Sequence, residues 1–145
     1  MLVDTSLLVR ALQPQHPLSA VAKNAIDRLR LKRQRLYVAP RNLVELWVVA
    51  TRPAGENGLG MSFAEALAEL ARVKSFFALL PETEEIFPAW ERLVTAYQVA
   101  GKPAHDARLV AAMHVYGLTS ILAFDKTGFT RYAGIEVVHP AAVAA

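Results

Sequence analysis

At 145 residues, 54% hydrophobic and 20% charged, the chain is long enough to bury about two-thirds of its unfolded surface as one domain and too apolar to be intrinsically disordered. It has no cysteine, which excludes a disulfide framework and cysteine-ligated zinc. The net charge of +3 hides an asymmetry: residues 1–52 hold nine Lys or Arg against three acids, and residues 53–145 hold seven against ten.

Met1 to Val3 reads as a short strand. Asp4-Thr5-Ser6 follows, and Asp is a favoured N-cap for a helix running from about Ser6 to Leu12. The turn Gln13-Pro14 ends that helix, and Pro17 suits the first turn of a second one reaching about Gln34. Its end is densely basic, with Arg28, Arg30, Lys32, Arg33 and Arg35. Such a field attracts polyanions, nucleic acid above all, although cations at a helix C-terminus also suit the helix dipole.

Leu36 to Ala39 reads as a second strand, and Pro40 opens a third helix through about Ala50 that is apolar almost all round, as buried helices are. Glu45 falls in its middle, in Leu43-Val-Glu-Leu-Trp-Val-Val49, where an ionised carboxylate is costly to bury. Arg41, one turn earlier, offers a partner. That pair runs in the weaker order, Arg before Glu, and is worth only about 0.2–0.5 kcal/mol.

Residues 53–60 carry one proline and three glycines and read as a loop. Ser62 with Glu65 forms a capping-box signature for a fourth helix to about Ser75. Phe76 to Leu80 is a third strand stopped by Pro81, and a helix follows from Thr83 or Pro88 to Val99. Gly101 to His105 reads as a loop, and Asp106 starts a helix that Gly117 ends. Ser120 to Phe124 and Ile135 to Val138 are the last strands; Asp125 follows the first of them in a sequence, Phe-Asp-Lys-Thr-Gly, that also suits an ordinary turn. Ala141 to Ala145 reads as a frayed tail, and residues 1–145 as a single domain without repeat or linker. No basic segment with a long apolar run opens the chain, and no apolar stretch nears the roughly 20 residues of a membrane span, so a soluble cytoplasmic protein is expected.

Alternating strands and helices imply a mostly parallel sheet with helices on both faces, and ligands of such sheets bind beyond the carboxyl ends of the strands. Asp4 and Asp125 fall at such ends and Asp106 at a helix N-terminus, so three carboxylates gather near one edge. Several carboxylates with few basic residues in their own segments suggest a divalent cation site. Hard oxygen donors suit Mg²⁺ or Mn²⁺, and the lack of Cys and of clustered His argues against zinc. A phosphodiester is an anion that such a pocket repels until a cation reverses the sign. His105, beside Asp106, is either a phosphate contact or an ordinary loop histidine. Trp47, Trp90 and Tyr97 lie among apolar neighbours at helical spacing and read as core or interface.

Four segments in order, VDTSLLVR, LVELWVVATRP, GKPAHDARLVAAM and ILAFDKTGFTRY, resemble the PIN-domain family, specifically the VapC-type toxins of toxin–antitoxin pairs. The resemblance spans nearly the whole chain. It implies a three-layer α/β/α sandwich and a Mg²⁺- or Mn²⁺-dependent ribonuclease with Asp4, Glu45, Asp106 and Asp125 as its acidic site, Ser6 and Thr5 supporting Asp4. It also implies a homodimer and an antitoxin that inserts a basic side chain among the carboxylates, with the third and fourth helices around Trp47 and Leu67 to Leu70 as contact surfaces. On this reading Arg28, Arg30, Lys32, Arg33, Arg35 and Arg41 position the RNA backbone. Two positions depart from the pattern. Ala123 stands where relatives often carry Thr, and Gly128 where many carry a further acid before Phe129, so the fourth corner rests on Asp125 alone. The alternatives are a PIN-like module that holds RNA or a protein without cutting, and a phosphatase-like enzyme with a nucleophilic Asp, which lacks an obvious Lys and Ser/Thr partner set.

Overall fold

In the computed structural model, which describes residues 1–143, side-chain alternation along five short strands builds two cores on one sheet. The strands are β1 (Leu2–Val3), β2 (Tyr37–Val38), β3 (Ala78–Leu79), β4 (Ser120–Leu122) and β5 (Glu136–Val138). They lie in the order β3-β2-β1-β4-β5, and every neighbouring pair is parallel. The helices are α1 (Thr5–Ala11), α2 (Ser19–Leu31), α3 (Pro40–Thr51), α4 (Phe63–Phe76), α5 (Ile86–Ala96) and α6 (Pro103–Tyr116). On one face of the sheet, Leu2 and Ile121 pack with Ile86, Ala89 and Leu93 of α5 and with Leu109, Val110 and Met113 of α6. On the other, Val3, Val38 and Leu122 pack with Leu7 and Leu8 of α1, Ala22, Ile26 and Leu29 of α2, Leu46 of α3 and Val73 of α4. The three-layer α/β/α sandwich expected from the sequence is the fold, with a sheet that is parallel throughout.

The differences from expectation lie at element ends and on one helix face. The strands are shorter than their apolar runs; beyond their ends Leu80 N–H and Ala123 N–H still donate to Val38 O and Val138 O, and both residues are buried. α6 begins at Pro103, three residues before Asp106, with proline at the first helical position where its fixed φ and missing N–H cost nothing. α3 is not buried all round: Leu46 is 1% exposed, but Val44 and Val48, one turn apart, are 62% and 49% exposed. Residues expected to fray also fold in. Pro140–Ala142 make a 3-10 turn capped by His139, Val143 is buried, and Arg28 Nη1 donates to the Val143 carbonyl at 3.2 Å. The remainder of that tail, 144–145, lies outside the described residues. No helix among the described residues is long and apolar enough to cross a membrane.

Candidate active site

Three elements deliver carboxylates to the carboxyl edge of the sheet. Asp4 leaves β1 with its N–H donating to Leu122 O of β4 at 2.9 Å, which fixes its backbone to the central strand pair. Its carboxylate also caps α1: Asp4 Oδ2 accepts from Ser6 Oγ at 2.7 Å and from Ser6 N–H at 3.3 Å. The Asp4 carboxylate therefore caps α1 from the carboxyl edge of the sheet, and both Ser6 hydrogen bonds hold it there.

Thr5 adds a backbone hydrogen bond to the Asp4 carboxylate, while its side chain turns elsewhere. Its buried hydroxyl accepts from Asn42 Nδ2 at 3.2 Å, while Asn42 Oδ1 accepts from Ala39 N–H at 2.8 Å. Asn42 has no solvent exposure, and its amide locks the start of α3 to the start of α1. Sequence reasoning passed over this residue. The signal was a polar amide three residues after Ala39, at the position where a capping side chain returns to the helix start.

Glu45 and Arg41 stand on the first turns of α3, held by that lock. Arg41 Nη2 forms an ion pair with Glu45 Oε1 across one helical turn. The half-exposed position of Glu45 follows from the open face of α3 and removes the cost that burial would impose. Arg41 thus stands at the acidic edge. Arg28, Arg30 and Arg35 do not: α2 ends where β2 begins, at the amino edge, and Arg35 O accepts from the Met1 ammonium at 3.0 Å. Arg30 covers the Phe76 ring at 4.0 Å. The basic stretch 28–35, with Lys32 and Arg33, is therefore carried away from the carboxylates by the parallel topology.

Asp106 is the fourth residue of α6, and Leu109, Val110 and Met113 on the same side are buried, so its side chain leans inward and is half-buried. Burial raises the Asp106 carboxyl above the ordinary range, and the charges of Asp4 and Glu45 raise it further; Arg41 and His105 oppose them. The Asp4 carboxyl is likewise raised, chiefly by burial and then by Glu45, against the Ser6 hydrogen bonds. These couplings bring Asp4, Glu45, Asp106 and Arg41 into one electrostatic group. Tyr132, unnoticed in the sequence, stands behind it. Its phenol is buried without a hydrogen-bond partner among the described residues and is raised by burial, with Asp106 adding to the shift.

Asp125 does not join the group. β4 ends at Leu122, and Ala123 and Phe124 carry the chain outward, leaving Asp125 exposed. Its Oδ1 accepts from Thr127 N–H at 2.9 Å and Thr127 Oγ1 at 2.7 Å, bonds that hold the carboxyl below the ordinary range. Gly128, three residues on, comes up against Asp106 instead. A Cβ there would overlap Asp106 Oδ2 and stand 3.0 Å from its Cγ, so the backbone itself walls that carboxylate. Gly128 thus brings backbone, and no side chain, against Asp106.

No group of three or more His, Asp or Glu among the described residues is arranged to hold a metal ion. Glu45 is turned to Arg41 and Asp125 to Thr127. The donor chemistry nevertheless fits a hard divalent ion. Two inward-leaning carboxyls are raised by burial and by neighbouring carboxylate charge, which a cation at this edge would relieve.

An all-parallel α/β sandwich with acids placed after β1, on α3 and on α6 at its carboxyl edge defines a class of acidic-site α/β proteins. The family model described as PIN domain matches residues 1–135, and the chain belongs to the PIN-domain family. No curated protein matches it in sequence. Solved structures with the same fold include VapBC2 from Rickettsia felis bound to a DNA fragment from its promoter, at 13% identity and TM-score 0.70, covering 95% of this chain and 96% of that one. FitAcB from Neisseria gonorrhoeae is 19% identical with TM-score 0.66 and 96% coverage of each. VapC20 from Mycobacterium tuberculosis, a Sarcin-Ricin loop cleaving toxin, is 22% identical with TM-score 0.64, covering 90% of this chain and 93% of that one.

Proposed function

We propose that this chain is a Mg²⁺- or Mn²⁺-dependent endoribonuclease, the toxin of a toxin–antitoxin pair, working as a homodimer and held inactive by a small antitoxin. The observation that carries the reading is the convergence of Asp4, Glu45 and Asp106 from three separate elements on one edge of a PIN fold. The similarity to VapBC complexes and to a toxin that cleaves the Sarcin-Ricin loop supports the toxin role.

In this reading Asp4 and Asp106 hold the ion, with Glu45 joining them directly or through water and Asp125 outside. Once bound, the ion supplies a water of lowered pKa and charge stabilisation at the leaving oxygen. The chain's own residues do the rest. Ser6 keeps the Asp4 carboxylate in one rotamer, and Asn42 keeps the α1 and α3 starts in register. Arg41 brings a cation to the rim, where an entering phosphate finds it. The buried apolar side of α6 and the Gly128 backbone narrow the space around Asp106.

The Arg41–Glu45 pair favours a second reading, a PIN-like module that holds RNA or a protein without cutting, since it engages one of the three acids. One experiment separates them. Purified protein freed of antitoxin is given a broad RNA pool with Mg²⁺, Mn²⁺ or EDTA, and the new RNA ends are sequenced for wild type and Asp4→Asn. The nuclease predicts metal-dependent ends that vanish in Asp4→Asn; wild type leaving the pool intact with either metal overturns it.

A further inference from the structure

One feature outside the carboxylate group combines aromatic surface, basic side chains and position. Between the first turns of α5 and α6 lies a cleft of about 240 Å³ lined by Phe87, Trp90, Ala104, His105 and Arg108. It begins one residue from Asp106. Phe87 is 55% exposed, on the solvent side of an amphipathic helix that buries Ile86, Ala89 and Leu93. Its ring lies 5.5 Å from that of Trp90 with a tilt of 30°, and Trp90 Nε1 is tied to Ala104 O at 2.8 Å. Phe87 thus stands as an exposed step beside the α6 N-terminus, backed by the half-buried Trp90, which packs against the core.

We infer that this cleft takes one unstacked base of single-stranded RNA, seated on Phe87 and Trp90 next to the phosphate that enters the carboxylate site. The inference deepens the proposed function and rests on RNA being its substrate. The cleft is smaller than the roughly 300–1,000 Å³ of ordinary ligand pockets, which suits one planar ring system. The charges in it point to a base rather than a phosphate. Arg108 is already paired with Glu82 at 2.9 Å, so its guanidinium offers a flat, part-exposed plane more than an unspent charge. Aromatic and guanidinium planes are how proteins hold splayed RNA bases, and such stacking tolerates any base. A base here would fix the strand in register with Asp106, while leaving sequence choice to other surfaces.

The test uses the intrinsic fluorescence of Trp90 in a Trp47→Phe background, since these are the only two tryptophans. The probe is a 2′-O-methylated, cleavage-resistant oligoribonucleotide of about 12 nucleotides, with Mg²⁺ present. The oligonucleotide is expected to quench Trp90 and inorganic polyphosphate is not. Phe87→Ala, at an exposed position that leaves the fold intact, should weaken oligonucleotide binding about tenfold, and Phe87→Tyr should restore it. Unchanged affinity in Phe87→Ala, absent quenching, or an equal loss toward polyphosphate overturns the proposal. So does an effect confined to antitoxin binding, which makes the cleft a protein contact. A wild type that stacks the oligonucleotide yet never cuts the RNA pool supports the cleft and overturns the nuclease reading alone.

Discussion

At the scale of single residues, the acids divide by what already satisfies them. Asp4 and Asp106 are raised by burial, whereas Asp125 is lowered by its bonds to Thr127. This division sets the sign of two predictions. A carboxyl whose folded pKa lies above its unfolded value contributes stability at low pH, and that stability is lost as pH rises from the ordinary carboxylate range through the raised folded value. Asn imitates the neutral acid and still caps α1. In EDTA at neutral pH, Asp4→Asn should therefore melt no lower than wild type, while RNA cleavage in metal falls at least about a hundredfold. A large drop in its melting temperature would show that the ionised form supports the fold. Asp125→Ala removes the two bonds from Thr127 and leaves the acidic group untouched, so its cleavage rate should stay far above that of Asp4→Asn. Equal losses in parallel rate measurements would mean that Asp125 swings inward after all. The sequence made Asp4, Glu45 and Asp106 legible because each stands in an apolar segment. It could not separate Asp125 from them, because Phe-Asp-Lys-Thr-Gly writes a site and an Asx turn with the same letters.

At the scale of elements, loops and helix starts decide the geometry. Helices and strands were readable to within a few residues from Pro14, Pro40, the Ser62–Glu65 capping box and Gly117, each of which has a local physical meaning. The start of α6 was missed because Gly101-Lys-Pro-Ala-His reads as a loop until Pro103 is placed at the first helical position. Asn42 was missed because its partners, Ala39 N–H and the Thr5 hydroxyl, belong to different elements and meet only after folding. Gly128 is the sharpest case. Beside Phe129 it resembles a simple turn glycine, yet its bare Cα faces the Asp106 carboxylate. Gly128→Ala puts a methyl against the far end of a short side chain, which can rotate aside at little cost to the fold. The expected result is a melting temperature close to wild type with Mn²⁺ affinity, read by calorimetry, and cleavage both reduced at least about tenfold. Wild-type affinity for Mn²⁺ in Gly128→Ala would show that the Asp106 rotamer is not what the glycine protects.

At the scale of the molecule, the parallel sheet sorts charge and apolar surface onto different sides. Parallel topology carries the acids to the carboxyl edge and Arg28 to Arg35 to the amino edge, which no inspection of local composition could reveal. It also leaves α3 and α4 side by side at one flank. There Val44 and Val48 of α3 and Phe63 and Leu67 of α4 are all about half exposed or more, and Trp47 meets Phe63 edge to face at 5.4 Å. Apolar residues one turn apart on two adjoining helices make a continuous strip, the kind of surface that monomers seldom leave open. Because Glu45 shares α3 with Val44 and Val48, a partner on this flank would sit beside the acidic site without covering Asp4 or Asp106. A homodimer through this flank should therefore be separable from the chemistry. Val48→Glu places a charge in the strip and should weaken self-association at least about tenfold in sedimentation equilibrium. The monomer it yields should still cut RNA if the carboxylates of one chain suffice. Unaltered association in Val48→Glu would move the dimer contact elsewhere, and a monomer without cleavage would mean that the second chain helps complete the site.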